Sequence, residues 1–167
     1  MRITVVDAVG SADTAELWPV YDAVFGDQPD ESTWRKSVWD KHIARSGFAL
    51  ARAYDDSALV GFAYGYTGEA GQWWTDNVRS TLPAAVAEEW LGDHFELVSI
   101  GVLASHRSHG IGRALMRALL ADRPEPRWLL QTTADADDPA RRLYAAEGWR
   151  VLGPGTGEGT VVMGRQR

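Results

Sequence analysis

The chain contains no cysteine among its 167 residues. That excludes a disulfide framework, a thiolate nucleophile and thiolate-bound zinc. No apolar run approaches the roughly 20 residues that cross a bilayer, so no membrane span or membrane partner is expected. Met1 to Gly10 has one basic residue and then Asp7. It lacks the apolar core of about 7–15 residues that marks a secretory signal, so a cytoplasmic location is the expectation. Positive charge is also short. Seventeen Lys and Arg stand against 23 Asp and Glu, a net charge of −6. That argues against a nucleic-acid partner, which needs a basic surface, and suits a cationic substrate. His94, His106 and His109 are scattered and lack acids at ligand spacing, so no metal is expected.

What is present fits one globular domain over residues 1–167. Apolar residues make up 45% and charged residues 24%, near the globular average. Tryptophan is the surplus, at eight.

Hydrophobic periodicity predicts the elements. Ile3–Val6 reads as a strand. A helix starts at Ser11 or Asp13 and stops at Gly26, with an irregular or late first turn because of Pro19. A second helix runs from Ser32 or Glu31 to about Arg45. Phe48–Tyr54 and Leu59–Tyr66 read as a hairpin turning at Asp55–Ser57. Gly65–Gly71 is expected to be a loop, and Val78–Trp90 a helix broken near Pro83. Phe95–Leu103 is almost continuously apolar, the pattern of a central buried strand. A helix follows to about Leu120, then a strand at Trp128–Thr132. A helix begins at Pro139 and stops at Gly148. Strands at Trp149–Leu152 and Thr160–Met163 flank a glycine-rich loop. The order predicts an α/β (α+β) fold, a mixed sheet of six to seven strands with helices on both faces.

The most informative segment is the loop after the central strand, Arg107-Ser-His-Gly110-Ile-Gly112. It opens a helix, where free N–H groups and the positive end of the dipole attract an anion. Glycines let a phosphate approach the backbone. Leu103–Arg117 holds three arginines and no acid. The Rossmann pattern fails because position 115 is Leu, and no Gly-Lys-Ser/Thr is present for a Walker loop.

This segment resembles the GNAT superfamily, the Gcn5-related N-acetyltransferases, whose signature is Gln/Arg-x-x-Gly-x-Gly/Ala after a central strand. A second signature, a helix ending in Tyr-x-x-x-Gly-Phe, is matched by Tyr144-Ala-Ala-Glu-Gly148-Trp149, with Trp for Phe. The resemblance implies a GNAT fold and acetyl-CoA as acetyl donor. Ile100, Gly101 and Val102 would pair with the pantetheine arm as an added strand. The amides of Ser108, His109, Gly110, Ile111, Gly112 and Arg113 would hold the pyrophosphate, with charge from Arg107 and Arg113. Asp137 stands where the family often has Asn at the cofactor arm. The resemblance also admits a homodimer.

Acyl transfer to an amine needs a neutral amine, a stabilised oxyanion and a protonated leaving group. The resemblance puts the Tyr144 phenol near the sulfur, as general acid. Glu96 shares a strand face with Val98, Ile100 and Val102. A carboxylate in low-dielectric surroundings can serve as a base, and Glu96 resembles the base of the histone-acetylating branch. Trp73, Trp74 and Asp76, with Trp34, are the expected wall for an ammonium, through cation–π contact and charge; packing is the plainer role for these tryptophans. The expected activity is acetyl transfer to a primary amine in a ternary complex, the acceptor being an aminoglycoside, a polyamine, an amino-acid derivative or a protein amine. The alternative is a catalytically weak acyl-CoA-binding sensor of the same fold. A carbohydrate-binding module would leave the basic glycine loop without a role.

Overall fold

The computed structural model describes residues 1–167. Seven strands form one mixed sheet, in the order β1-β2-β3-β4-β5-β7-β6. They are β1 (Arg2–Val6), β2 (Ala49–Asp55), β3 (Ala58–Gly68), β4 (His94–Val102), β5 (Arg127–Thr133), β6 (Arg150–Pro154) and β7 (Thr160–Gln166). The helices are α1 (Ser11–Phe25), α2 (Glu31–Trp34), α3 (Asp40–Ile43), α4 (Trp73–Thr81), α5 (Ala84–Trp90), α6 (Ile111–Leu120) and α7 (Pro139–Ala146). No helix is long and apolar enough to cross a membrane.

Contacts divide the chain into two compact units. The first comprises Met1–Tyr66 and Val98–Arg123. Here β1, β2 and β3 pair antiparallel, and α6 packs on β1 and β2. Its core is aromatic. Trp34 and Trp39 stack at 5.0 Å, Trp18 lies 5.4 Å from Trp34, and Tyr64 meets Trp39 edge-on at 5.2 Å. A π-helical turn, Arg35–Trp39, links α2 to α3. Its wider turn brings Trp34 and Trp39 to the same side, where ordinary helical spacing would separate them. The Trp39 indole N–H donates to the Thr14 hydroxyl at 3.0 Å, so burial leaves it satisfied.

α1 begins at Ser11 with a regular first turn, against the expectation drawn from Pro19. The Gly10 N–H donates to Asp13 Oδ2 at 2.8 Å, which fixes the start. Burial of Leu17, Val20 and Tyr21 around Pro19 offsets the one backbone bond that proline removes.

The second unit comprises Thr67–Leu97 and Pro124–Arg167. β5 pairs antiparallel with β7, and β7 with β6, so β6 runs parallel to β5 one strand removed. Val78, Leu82, Ala87, Trp90, Leu91, Leu129 and Val162 form its core. The break at Pro83 between α4 and α5 agrees with the sequence.

The Gly65–Gly71 loop expectation is corrected, because β3 continues to Gly68. Gly65 pairs with Ala49, and Gly68 is buried where a Cβ would overlap the His94 imidazole. Gly65 is a paired strand residue and Gly68 serves close packing; neither turns the chain. β6 likewise runs to Pro154, shortening the glycine-rich loop.

The β4–β5 ladder holds three parallel pairs, His94↔Arg127, Phe95↔Trp128 and Glu96↔Leu129. It ends there, although β4 runs on to Val102.

Candidate functional site

In the first unit, β4 leads through Leu103 and a 3₁₀ turn, Ala104–His106, into the loop Arg107–Gly110 and then α6. Ser108 has φ 66° and Gly110 φ 76°, both left-handed. Gly110 is the N-cap of α6, and a Cβ added there would meet nothing within 4 Å. Backbone conformation, not crowding, therefore selects glycine, and the first turn of α6 stays open on its outer side. Its N–H groups have no partner within the helix. Arg107, Ser108 and His109 are exposed, as is Arg113 on the first turn. The Arg107 Nε donates to the Val102 carbonyl at 3.1 Å, so this arginine also ties the loop to the end of β4. Ile111, Leu115, Met116, Leu119 and Leu120 anchor the opposite face of α6 in the core.

Within β4, Ile100 and Val102 are half-buried and Gly101 is buried. A Cβ on Gly101 would come within 2.9 Å of Val24 Cγ1. Gly101 therefore lets α1 approach the strand.

In the second unit, Glu96 is 3% exposed. Its Oε1 accepts from the Thr75 hydroxyl at 2.6 Å and lies 3.2 Å from His94 Nε2. His94, fully buried, receives the Gly92 N–H on Nδ1 at 3.1 Å. Sequence reasoning passed over His94 and Thr75 as partners of Glu96. Period-2 spacing does put His94 and Glu96 on one strand face. Nothing in the sequence brings Thr75 of α4 to that face.

Tyr144 lies on α7, 6% exposed, with its ring 6.1 Å from that of Trp149. Burial, with a contribution from Asp138, pushes the phenol up to about 12. It is protonated throughout the physiological range. Asp138 caps α7 by accepting from the Ala140 and Arg141 N–H groups. Asp137, beside it, is exposed in the loop, its N–H donating to Asp135 Oδ1 at 2.9 Å.

Of the residues expected to form an aromatic wall, Trp73, Trp74 and Asp76 stand on α4. Trp73 is 67% exposed, and Trp74 is half-buried, donating to Gln131 Oε1 at 3.2 Å. Asp76 is exposed and accepts from the Gly71 N–H at 3.0 Å, bracing the start of α4. Trp34 departs from the expectation. It is fully buried in the first unit, stacked on Trp39 with Trp18 tilted against it, and offers no face to a ligand.

Proteins of known structure share this fold. The fold matches the ribosomal-protein-S18-alanine N-acetyltransferase of Escherichia coli, with a TM-score of 0.66 at 15% identity, covering 99% of this chain and 94% of that one. It also matches the PaiA N-acetyltransferase of Thermoplasma acidophilum, solved in complex with coenzyme A, with a TM-score of 0.63 at 15% identity and all of both chains covered. In sequence the chain is 34% identical to a GCN5-like protein acetyltransferase of Mycobacterium tuberculosis, over 70% of this chain and 71% of the relative. Residues 14–149, which contain both the Arg107–Gly110 loop and the Tyr144 helix, match the acetyltransferase (GNAT) family; the chain belongs to that family and is an acetyltransferase.

Proposed function

We propose that the protein transfers the acetyl group of acetyl-CoA to a primary amine by direct attack, with both substrates bound together. The observation that carries this reading is the β4–α6 junction. Left-handed Ser108 and Gly110 open the amides of α6, and a basic stretch surrounds them. A pyrophosphate fits this chemistry, held by the amides of Ser108–Arg113 with charge from Arg107 and Arg113. The pantetheine arm suits the backbone of Ile100, Gly101 and Val102, beyond the point where the β4–β5 ladder ends. Val102 contributes its N–H there, since its carbonyl already accepts from Arg107.

Acetyl-CoA supplies an acyl group already activated by a thiolate leaving group. Glu96 is the base. It takes one proton from the acceptor ammonium at Oε2, directly or through water, and the neutral amine so formed attacks the thioester carbonyl; the proton the nitrogen sheds as the amide forms goes to the departing thiolate. Tyr144 donates a hydrogen bond to the departing sulfur. Full transfer from a phenol near 12 to a thiolate of ordinary pKa, about 8.5, is uphill, so the phenol stabilises developing charge more than it delivers a proton. Trp73, Trp74 and Asp76 are available to the acceptor, two aromatic faces and one carboxylate.

The relative at 34% identity is named a protein acetyltransferase. That supports a lysine or N-terminal amine of a protein as acceptor, ahead of the polyamines and aminoglycosides. The test is thiol release from acetyl-CoA against four amines: a lysine peptide, an N-terminal alanine peptide, spermidine and kanamycin. Transfer to either peptide supports the reading. Tight CoA binding without turnover on any amine would favour the sensor.

A further inference from the structure

We infer that His94 and Thr75 are positioning residues that saturate one oxygen of Glu96, so that the other is the atom that accepts the proton. This rests on the reading of Glu96 as the base.

The Glu96 carboxylate is buried in the second unit with no arginine or lysine paired to it. Its Oε1 takes two donors. The Thr75 hydroxyl reaches it at 2.6 Å, a short charge-assisted bond. The second donor is His94, and the geometry fixes its tautomer. The Gly92 N–H points at Nδ1 from 3.1 Å, so Nδ1 must be the ring's acceptor. The proton then sits on Nε2, 3.2 Å from Oε1. A proton on Nδ1, in the other neutral tautomer or in an imidazolium, would oppose the Gly92 N–H. His94 is thus a neutral, oriented donor to Glu96, not its counter-ion.

The two donors fill Oε1. Oε2 takes no hydrogen bond from the chain, and it is not among the sealed polar atoms that lack a partner. It remains the oxygen with capacity and with access. A third feature locks the arrangement. Gly68, the last residue of β3, lies against both side chains. A Cβ there would overlap His94 Nε2 and come within 2.7 Å of Glu96 Oε1. The backbone of β3 is therefore one wall of the cluster, and only glycine fits it. Thr75 is itself 1% exposed, in the first turn of α4, so its hydroxyl has little freedom to turn elsewhere. A base held in this way presents one oxygen to the substrate, which is how positioning lowers a barrier.

Two measurements on the full chain test the inference. The first is a long-range ¹H–¹⁵N spectrum of the histidine side chains between pH 6 and 8, which needs no acceptor. The expected result is the Nε2–H tautomer at His94; an Nδ1–H ring or an imidazolium would overturn the assignment. The second is steady-state transfer from acetyl-CoA to poly-L-lysine by the parent, Thr75→Val, Thr75→Ser and Glu96→Gln. Thr75→Val keeps the shape and removes the donor. Its kcat should fall roughly tenfold or more, the worth of one hydrogen bond to a charged group. The KM for acetyl-CoA should stay within about twofold, and Thr75→Ser should restore most of the rate. A Thr75→Val kcat within about twofold of the parent would overturn the positioning role, even with Glu96→Gln inactive. A fully active Glu96→Gln would instead remove Glu96 as base. A parent inactive on poly-lysine would count against the proposed acceptor, while the tautomer still decides the geometry.

Discussion

His42 makes stability depend on pH in a window that can be stated in advance. It follows the π turn, half-buried, with the Tyr64 hydroxyl 3.1 Å from its Nδ1 and the Tyr66 ring 5.2 Å away. Burial, then the charges of Arg45 and Lys41, lower its pKa from 6.5 to about 4. The unfolded chain therefore binds a proton below about 6.5 that the native protein refuses until about 4. In that interval stability falls as pH falls; above it the residue contributes no slope. A shift from 6.5 to about 4, at about 1.4 kcal/mol for each pH unit, sums to about 3 kcal/mol. The ring edge that meets water trims this toward about 2 kcal/mol. The control is His42→Asn, whose Oδ1 can accept from Tyr64 but which does not titrate. Urea unfolding of both proteins between pH 7.5 and 4 gives the difference in stability, in which the carboxylates common to both cancel. That difference should shrink by about 2–3 kcal/mol from the top of the range to the bottom. A pH-independent difference would refute the reasoning.

Gly110→Asp should lower CoA affinity at least tenfold, about 1.4 kcal/mol, by calorimetry, because the open side of Gly110 would then carry a negative charge. Gly110→Asn, neutral and tolerant of left-handed φ, should retain most of the affinity, separating charge from backbone strain. Tyr144→Phe should keep fold and CoA binding and reduce kcat roughly 10–100-fold, towards the low end expected for a good leaving group; a kcat within about twofold in single turnover would remove the phenol from the chemistry. Gly68→Ala should lower the melting temperature, since its Cβ overlaps His94, with an overpacking cost of about 1–3 kcal/mol. An unchanged melting point would show that the His94 ring can move aside.

The β4–α6 junction was legible because its signal is local. An apolar run, paired glycines and a cluster of arginines all fall within one stretch of chain. The Tyr144 helix was legible for the same reason, with Pro139 at its start and Gly148, φ 84°, at its stop. The π turn was not. Trp34 and Trp39 face one way only through a wider helical turn. Trp34 was assigned to the acceptor wall from its aromatic character alone, and it belongs to the core. Gly68 was misread because a glycine that lets a neighbour approach is written like a glycine that turns the chain, and Gly65 because a glycine in a strand is written the same way. The pairing Ala49↔Gly65 and the ring of His94 over Gly68 exist only in three dimensions. Thr75 was invisible as a partner of Glu96 for the same reason, standing 21 positions away in the chain.

Acetyl transfer to a protein amine with Glu96 as base can be followed in one experiment. The most direct measurement is single-turnover transfer from radiolabelled acetyl-CoA to a lysine peptide and an N-terminal alanine peptide, followed from pH 6 to 10 for the parent and Glu96→Gln. An amide-linked label is expected on one of the peptides. The rate for Glu96→Gln should lie well below the parent near neutral pH and recover partly as the amine loses its own proton at high pH. Matching pH–rate profiles for the two proteins, or CoA bound with no label transferred at any pH, would contradict this mechanism.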